Sequence, residues 1–138
     1  MGGIAIKQKL WELAVNNGGK PKLLIAHNAT ISQLDTTLGI GTTVMQFAFI
    51  SATVTIGQGV LINTRANIHH DVTIGDFCEI GPSAVLLGKC VIGNNTFIGA
   101  NATILPCITI GNNCVIGAGA VGTKNINDNQ LIKGNPAK

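Results

Sequence analysis

Residues 44–121 read VMQFAFISATVTIGQGVLINTRANIHHDVTIGDFCEIGPSAVLLGKCVIGNNTFIGANATILPCITIGNNCVIGAGAV. An aliphatic residue returns every six positions through this segment, and a small or β-branched residue follows four positions after it. The aliphatic positions are Val44, Ile50, Ile56, Ile62, Ile68, Ile74, Ile80, Leu86, Ile92, Ile98, Ile104, Ile110 and Ile116. The positions four residues later are Ala48, Val54, Val60, Ala66, Val72, Cys78, Ala84, Cys90, Thr96, Ala102, Ile108, Cys114 and Ala120. Neither the period of a helix nor that of a strand alone produces this double pattern.

A six-residue repeat is typical of a parallel β-helix, in which each hexad supplies one short strand and one turn. Three hexads close one triangular coil, so residues 18 positions apart lie above one another. The coils stack at the strand spacing of ~4.8 Å. The aliphatic and the small residue of each hexad point into the prism, whose interior is too narrow for two large side chains. We therefore predict an all-β fold, a parallel β-helix of hexapeptide repeats.

The two ends of the chain depart from the strict repeat. Residues 1–24 predict a helix and a short strand, which we expect to cap the open end of a β-helix domain at 25–124. The apolar stripe of the predicted helix consists of Ile6, Leu10, Leu13 and Ala14. A looser six-residue pattern begins at Ile25 and takes one extra residue between Ile31 and Leu38. Residues 125–138 lose the period and predict a loop that leaves the last coil.

The composition fits a prism with an apolar interior. Of the 138 residues 46% are hydrophobic, and the mean hydropathy is +0.40. No apolar run approaches the roughly 18 residues that span a bilayer, so we predict no membrane segment. We expect many of the 18 glycines to supply positive φ at the corners. The net charge of +3 is dispersed, without the basic stripe that a nucleic-acid partner requires.

The four cysteines favour a cytoplasmic protein. Cys78, Cys90 and Cys114 occupy the small inward position of the repeat, and Cys107 lies just before it. None has CxxC spacing, and no signal-peptide pattern precedes the repeat. Because a free buried cysteine behaves as a small hydrophobe, we predict a structural role for each of the four and no bound metal.

His70 and Asp71 are the main candidates for chemistry. His70 lies outside the inward positions, and a histidine beside a carboxylate has the ingredients of a general base. Neighbouring side chains of a straight strand point to opposite faces, so the pair requires a bend at this point. The column of residues 18 positions apart places Gly88 one coil above His70. The alternative is an ordinary solvated surface pair.

A strip of small residues follows another corner. Its columns are Asn63, Gly81, Gly99 and Gly117, and beside them Thr64, Pro82, Ala100 and Ala118. Such a strip forms a smooth wall along which a long thin ligand can lie, with backbone groups within reach. The alternative is that these glycines only turn the chain.

The run IHHDVTIGDF, with the later LLGKCVIG, GAGAV and GNPAK, resembles the left-handed β-helix acyltransferases. Within them it is most similar to the sialic-acid O-acetyltransferase and UDP-4-amino-sugar N-acetyltransferase group of bacterial surface-glycan synthesis. The resemblance implies left-handed coils, in contrast to the usual right-handed crossover. It also implies a homotrimer with active sites between subunits, and acetyl transfer from acetyl-CoA to an amine or hydroxyl of a sugar without a metal.

The resemblance also implies site residues. His70 aligns with the catalytic base, Asp71 with the carboxylate that raises its basicity, and Gly88 with a backbone N–H donor to the thioester carbonyl. The implied cofactor-binding residues are Glu79, Gly88, Ala100, Gly117 and Ala118. Members of the family usually begin with an α/β domain that binds the UDP-sugar, and residues 1–24 resemble only its last helix and strand.

Other functions remain open at this point. One is a non-catalytic trimeric assembly subunit. Another is an acetyltransferase for serine or a xenobiotic. Those enzymes commonly carry a long loop inserted in the β-helix, whereas the six-residue frame here is unbroken from Val44 to Val121. A β-helix carbonic anhydrase needs three zinc histidines. His69 and His70 are adjacent and His27 is distant in sequence, so the spacing does not fit.

Overall fold

The computed structural model describes residues 2–138, which form a helix and a series of two-residue strands. Helix α1 spans Gly2–Asn16. In chain order the strands are β1 (Leu24–Ile25), β2 (Thr30–Ile31), β3 (Thr37–Leu38), β4 (Thr43–Val44), β5 (Phe49–Ile50), β6 (Thr55–Ile56), β7 (Leu61–Ile62), β8 (Asn67–Ile68), β9 (Thr73–Ile74), β10 (Glu79–Ile80), β11 (Val85–Leu86), β12 (Val91–Ile92), β13 (Phe97–Ile98), β14 (Thr103–Ile104), β15 (Thr109–Ile110), β16 (Val115–Ile116), β17 (Val121–Gly122) and β18 (Leu131–Ile132).

Three parallel sheets form the faces of a triangular prism. Sheet A has the order β1-β4-β7-β10-β13-β16-β18, sheet B the order β2-β5-β8-β11-β14-β17 and sheet C the order β3-β6-β9-β12-β15. Paired residues in the regular part are 18 positions apart, as in Glu79↔Phe97 and Val85↔Thr103, so each coil consists of three hexads. The prediction of a left-handed parallel β-helix is confirmed. Within residues 2–138, no helix combines the length and the apolar character that crossing a membrane requires.

The interior contains the residues that the repeat predicts. Every aliphatic position from Val44 to Ile116 is at most 2% exposed. The small positions are also buried, except that Ile108 is only partly buried. The buried Thr96 hydroxyl donates to the Gly111 carbonyl at 2.8 Å and accepts from the Cys114 N–H at 3.1 Å. Burial raises the pKa of the Cys78 thiol to about 11, as expected for a cysteine that fills the core.

The corners turn through residues of positive φ that are mostly not glycine. Arg65, Asp71 and Lys89, for example, have φ of 60°, 60° and 65°. The expectation that glycines supply this conformation is therefore wrong for most corners. Many hexad glycines are instead required by the close approach of successive coils, because a Cβ at Gly99 would lie 2.5 Å from the backbone nitrogen of Ala118.

Helix α1 precedes the β-helix as predicted, but it lies along the side of the prism rather than over its open end. The Trp11 ring packs edge-on against Phe77, with ring centroids 5.3 Å apart, and fills the space beside Gly41. Ile4, nearer the start of the helix, is 4% exposed and lies near Asn113. The helix therefore extends across several coils.

The face of α1 that packs differs from the predicted stripe. Ile6, Leu10 and Leu13 are 58%, 59% and 60% exposed. Ile4 and Trp11 face the prism instead, because the large Trp11 ring finds space over the small residue Gly41. Neither α1 nor any other segment of residues 2–138 covers the first strand, where Leu24 is 59% exposed.

Both ends of the β-helix are irregular. The paired residues Ile25↔Val44 and Ile31↔Ile50 are 19 positions apart, whereas Leu38↔Ile56 are 18 apart. The first coil therefore contains one extra residue between Ile31 and Leu38, as predicted. The segment 125–138, predicted as a loop, instead continues the last coil: β18 pairs with β16, and Ile126 forms a bridge with Ile110. Both of these registers span only 16 positions, which is why the six-residue period is lost from the sequence.

Candidate active site

Three columns of corners run along the prism, and their residues differ in chemistry. We name them after the sheet that each follows in the chain. Corner A comprises residues 63–66, 81–84, 99–102 and 117–120; corner B comprises 51–54, 69–72, 87–90 and 105–108; corner C comprises 57–60, 75–78, 93–96 and 111–114.

Corner B carries the predicted histidine–carboxylate pair. His70 Nδ1 lies 2.7 Å from Asp71 Oδ2, and both side chains are exposed. The pairing of adjacent residues is possible because Asp71 has φ of 60°, which turns its side chain back toward the imidazole. When Nδ1 is protonated and donates a hydrogen bond to Asp71, the lone pair of Nε2 is free to accept a proton.

Gly88 lies against the imidazole, one coil above His70. A Cβ at Gly88 would lie 2.6 Å from both Cε1 and Nε2 of His70, so only glycine leaves room for the ring in this position. The neighbouring N–H groups of Leu87 and Lys89 donate to the carbonyls of Ile104 and His70. Within residues 2–138, the Gly88 N–H has no acceptor. This N–H lies beside the imidazole and is available to an oxygen atom of a ligand.

At corner C, the outward backbone N–H groups are occupied by side chains of the next coil. The donors are Gln58, Asp76, Asn94 and Asn112, and their acceptors are the side-chain oxygens of Asp76, Asn94, Asn112 and Asp128, at 2.7–3.0 Å. This ladder occupies the N–H groups of these four residues. It is a structural feature of the β-helix.

Corner A has no such ladder in its upper coils. Ala100 and Ala118 occupy the positions equivalent to Asn94 and Asn112, and their methyl groups cannot accept a hydrogen bond. In the described part of the chain, the N–H groups of these two alanines have no acceptor. Corner A therefore presents successive free donors beside a smooth wall of glycine and alanine.

The structure brings together only part of the predicted site. His70, Asp71 and Gly88 share corner B, whereas Ala100, Gly117 and Ala118 lie on corner A, one face of the prism away. Glu79 lies on β10 of sheet A, the face opposite corner B. Glu79 acts on Lys7 of α1. Burial lowers the pKa of Lys7, and the negative charge of Glu79 offsets part of this shift. A single chain therefore contains no site that includes all of these residues.

The sequence analysis anticipated backbone groups along corner A, but not that the N–H groups of Ala100 and Ala118 are unpaired. This could have been recognised from the columns, because Ala100 and Ala118 stand where corner C carries the polar residues Asn94 and Asn112. Within residues 2–138, histidine, cysteine and acidic side chains do not gather into a group of three or more that could hold a metal ion.

Comparison with protein families gives a match to Bacterial transferase hexapeptide (six repeats) at residues 53–88 and 89–121. The comparison with curated proteins finds no match. Among solved structures, the chain is similar to a mutant of perosamine N-acetyltransferase from Caulobacter crescentus in complex with CoA and GDP-perosamine. The identity is 34% and the TM-score 0.96, over 100% of this chain and 65% of that one.

The chain is also similar to the acetyltransferase domain of PglB from Neisseria gonorrhoeae in complex with acetyl coenzyme A, with 36% identity and a TM-score of 0.94. For WeeI from Acinetobacter baumannii the identity is 26% and the TM-score 0.89. Each of these two matches covers 100% of this chain and 67% of the other. The chain thus spans about two thirds of the length of the proteins it resembles. The repeat, the fold and these matches together show that the chain belongs to the bacterial hexapeptide transferase family.

Proposed function

We propose that this protein transfers acetyl from acetyl-CoA to an amine of a sugar, with a nucleotide sugar such as a UDP-4-amino sugar as the acceptor. The observation that carries the proposal is the His70–Asp71 pair at 2.7 Å with the unpaired Gly88 N–H beside the imidazole. A similar structure described as an N-acetyltransferase, in complex with CoA and GDP-perosamine, supports the amine as acceptor over a hydroxyl. A second similar structure, described as an acetyltransferase domain, is bound to acetyl coenzyme A.

In this mechanism His70 acts as the general base. Asp71 accepts a hydrogen bond from Nδ1–H and thereby fixes the tautomer, so that Nε2 takes the proton from the acceptor amine as the amine attacks the thioester. Acetyl-CoA supplies the activated acyl group, and no covalent bond to the protein is required. After the attack, the protonated imidazole can return its proton to the departing thiolate.

Gly88 stabilises the charge that develops on the carbonyl oxygen. Its N–H is fixed by the backbone next to the His70 ring and has no competing acceptor within residues 2–138. A donor held in position before the reaction costs no reorganisation when negative charge appears, which is the basis of an oxyanion hole.

We further propose that the active site lies at a seam between subunits of a homotrimer. Acetyl-CoA is a long ligand, and corner A offers it the free N–H groups of Ala100 and Ala118. Because corner A and corner B of one chain are separated by a face of the prism, the donors nearest to His70 would come from corner A of the partner subunit. Glu79 remains a proposed contact to the cofactor, on the face of sheet A.

Residues 1–24 we assign to the end of an α/β sugar-nucleotide-binding unit, with 25–124 as the acyltransferase domain and 125–138 as its C-terminal segment. The outward stripe of Ile6, Leu10 and Leu13 supports this, because an amphipathic helix needs a second apolar surface to pack against. Free buried cysteines and the use of acetyl-CoA favour the cytoplasm.

We expect the protein to release CoA from acetyl-CoA in the presence of a UDP-4-amino sugar, and much less with sialic acid or simple amines. A thiol-detecting assay over this panel measures the difference. Calorimetry measures whether the protein binds acetyl-CoA alone, as an acetyltransferase should and a non-catalytic assembly subunit should not. Absence of both binding and CoA release would contradict the proposed function and favour that alternative.

A further inference from the structure

The proposed seam joins corner B of one subunit to corner A of the next, and the fold determines which levels of the two corners meet. Corners A and B flank sheet B of each chain. Three copies with their B sheets around a threefold axis therefore bring corner A of each subunit against corner B of its neighbour. Because this axis runs along the prism, equivalent residues of the three subunits lie at the same level.

Pro82 occupies on corner A the position that His70 and Gly88 occupy on corner B. It follows His70 by two hexads and precedes Gly88 by one. Since a coil of three hexads rises ~4.8 Å, Pro82 lies ~3.2 Å above the backbone of His70 and ~1.6 Å below that of Gly88. The imidazole reaches up to Gly88, where a Cβ would lie 2.6 Å from Nε2. Nε2 and the Gly88 N–H are therefore close to the level of Pro82 of the partner subunit.

Pro82 also interrupts the hydrogen-bond donors of corner A. One coil below it, the Thr64 N–H donates to the side-chain oxygen of the preceding residue at 2.8 Å. Proline itself has no N–H. Above Pro82, the backbone donors that lack an acceptor within residues 2–138 begin at Ala100 and continue to Ala118. Near the level of the reacting atoms, corner A thus presents an exposed apolar ring.

The three groups on the thioester carbon separate accordingly. When the carbonyl oxygen accepts from the Gly88 N–H, the sulfur leads to the long arm of CoA, whose amides match the free donors of Ala100 and Ala118 in the coils above. The remaining group is the acyl chain, which is apolar and needs no hydrogen bond. The Pro82 ring provides an apolar surface for it at this level.

We propose that Pro82 of the partner subunit packs against the methyl group of the acetyl donor and limits the length of the acyl group that the site transfers. This inference rests on the proposed function and extends it. A longer acyl group would need the space of the proline ring, which the locked φ of this residue holds in place. Pro82 is thus a specificity-determining residue that takes no part in proton transfer.

We expect Pro82→Ala to raise the ratio of kcat/KM for propionyl-CoA to kcat/KM for acetyl-CoA by about 10-fold or more, because one methylene in an apolar pocket carries discrimination of this size. Thr64→Ala, which shortens the side chain at the equivalent position one coil below, is the matched control and should leave the ratio unchanged. CoA release with a UDP-4-amino sugar as acceptor is the measurement. The ratio does not depend on the fraction of folded protein, so a loss of stability cannot produce this result.

Co-assembly then shows which subunit supplies the wall. Pro82→Ala is mixed with an excess of His70→Ala, and trimers that contain both are isolated through a different affinity tag on each variant. Their working sites take His70 from the first variant and corner A mostly from the second, in which Pro82 is intact, so the ratio should return to that of the unmodified protein.

A ratio that stays at the value of Pro82→Ala alone in these mixed trimers would overturn the inference. The same holds if Pro82→Ala by itself keeps the acyl preference of the unmodified protein. If the unmodified protein transfers no acyl group to the amino sugar, the proposed function fails, and this outcome is distinct from an unchanged ratio in an active protein.

Discussion

His70→Ala should lower the turnover of the acetyl-transfer reaction by about two to four orders of magnitude, the range typical of removing a general base. The physical reason is that no other group at corner B can accept the proton of the attacking amine with the same geometry. Asp71 contacts the Nδ1 side of the ring, whereas the amine proton is taken up at Nε2, so the Asp71 carboxylate does not lie where the missing base acted. The loss should appear in kcat, because the imidazole acts on the transition state.

Acetyl-CoA binding measured by calorimetry should survive in His70→Ala, since the donors of corner A are unchanged. His69→Ala is the matched control: it removes the adjacent histidine, which has no hydrogen-bonded carboxylate within residues 2–138, and should retain most of the turnover. Turnover near that of the unmodified protein in His70→Ala would refute the assignment of the general base.

Gly88→Ala should also inactivate the protein, by about 100-fold or more, because a displacement of a catalytic group by about 1 Å has effects of this size. The added methyl would lie 2.6 Å from the Cε1 and Nε2 atoms of His70, well inside van der Waals contact. The imidazole is the free end of an exposed side chain, so it can move aside at small cost to folding. The substitution is therefore expected to damage the site more than the fold.

Measurements of thermal unfolding and of turnover distinguish damage to the fold from damage to the site. Gly88→Ala should unfold within a few degrees of the unmodified protein while its kcat falls. A protein that unfolds normally and turns over normally would contradict the position of the imidazole against Gly88. Combining Gly88→Ala with His70→Ala should cause little further loss, because both changes remove the same correctly placed imidazole.

The sequence alone predicted the interior of this fold well, for a physical reason. A narrow prism admits one large and one small side chain per hexad, so burial leaves a strict six-residue pattern, and even the extra residue between Ile31 and Leu38 is visible in it. The His70–Asp71 pair could also be anticipated, because both residues fall outside the inward positions and at a corner.

Surface packing was less predictable. The helix α1 has apolar residues on more than one face, and only the fit of Trp11 over Gly41 decides which face is buried. The final coil was missed because its registers are 16 positions long, so Ile126 and Ile132 do not fall on the repeat.

Mixing two inactive variants tests the proposed seam between subunits most directly. His70→Ala removes the base from corner B, and Ala118→Trp blocks corner A, where Ala118 is exposed. When trimers form at random from equal amounts of the two variants, half of the subunits carry an intact corner B and half carry an intact corner A. About one site in four then combines an intact corner B with an intact corner A of the partner subunit. We predict that the mixture regains about a quarter of the activity of the unmodified protein, whereas each variant alone stays inactive. A mixture that forms mixed trimers and remains inactive would contradict an active site shared between subunits.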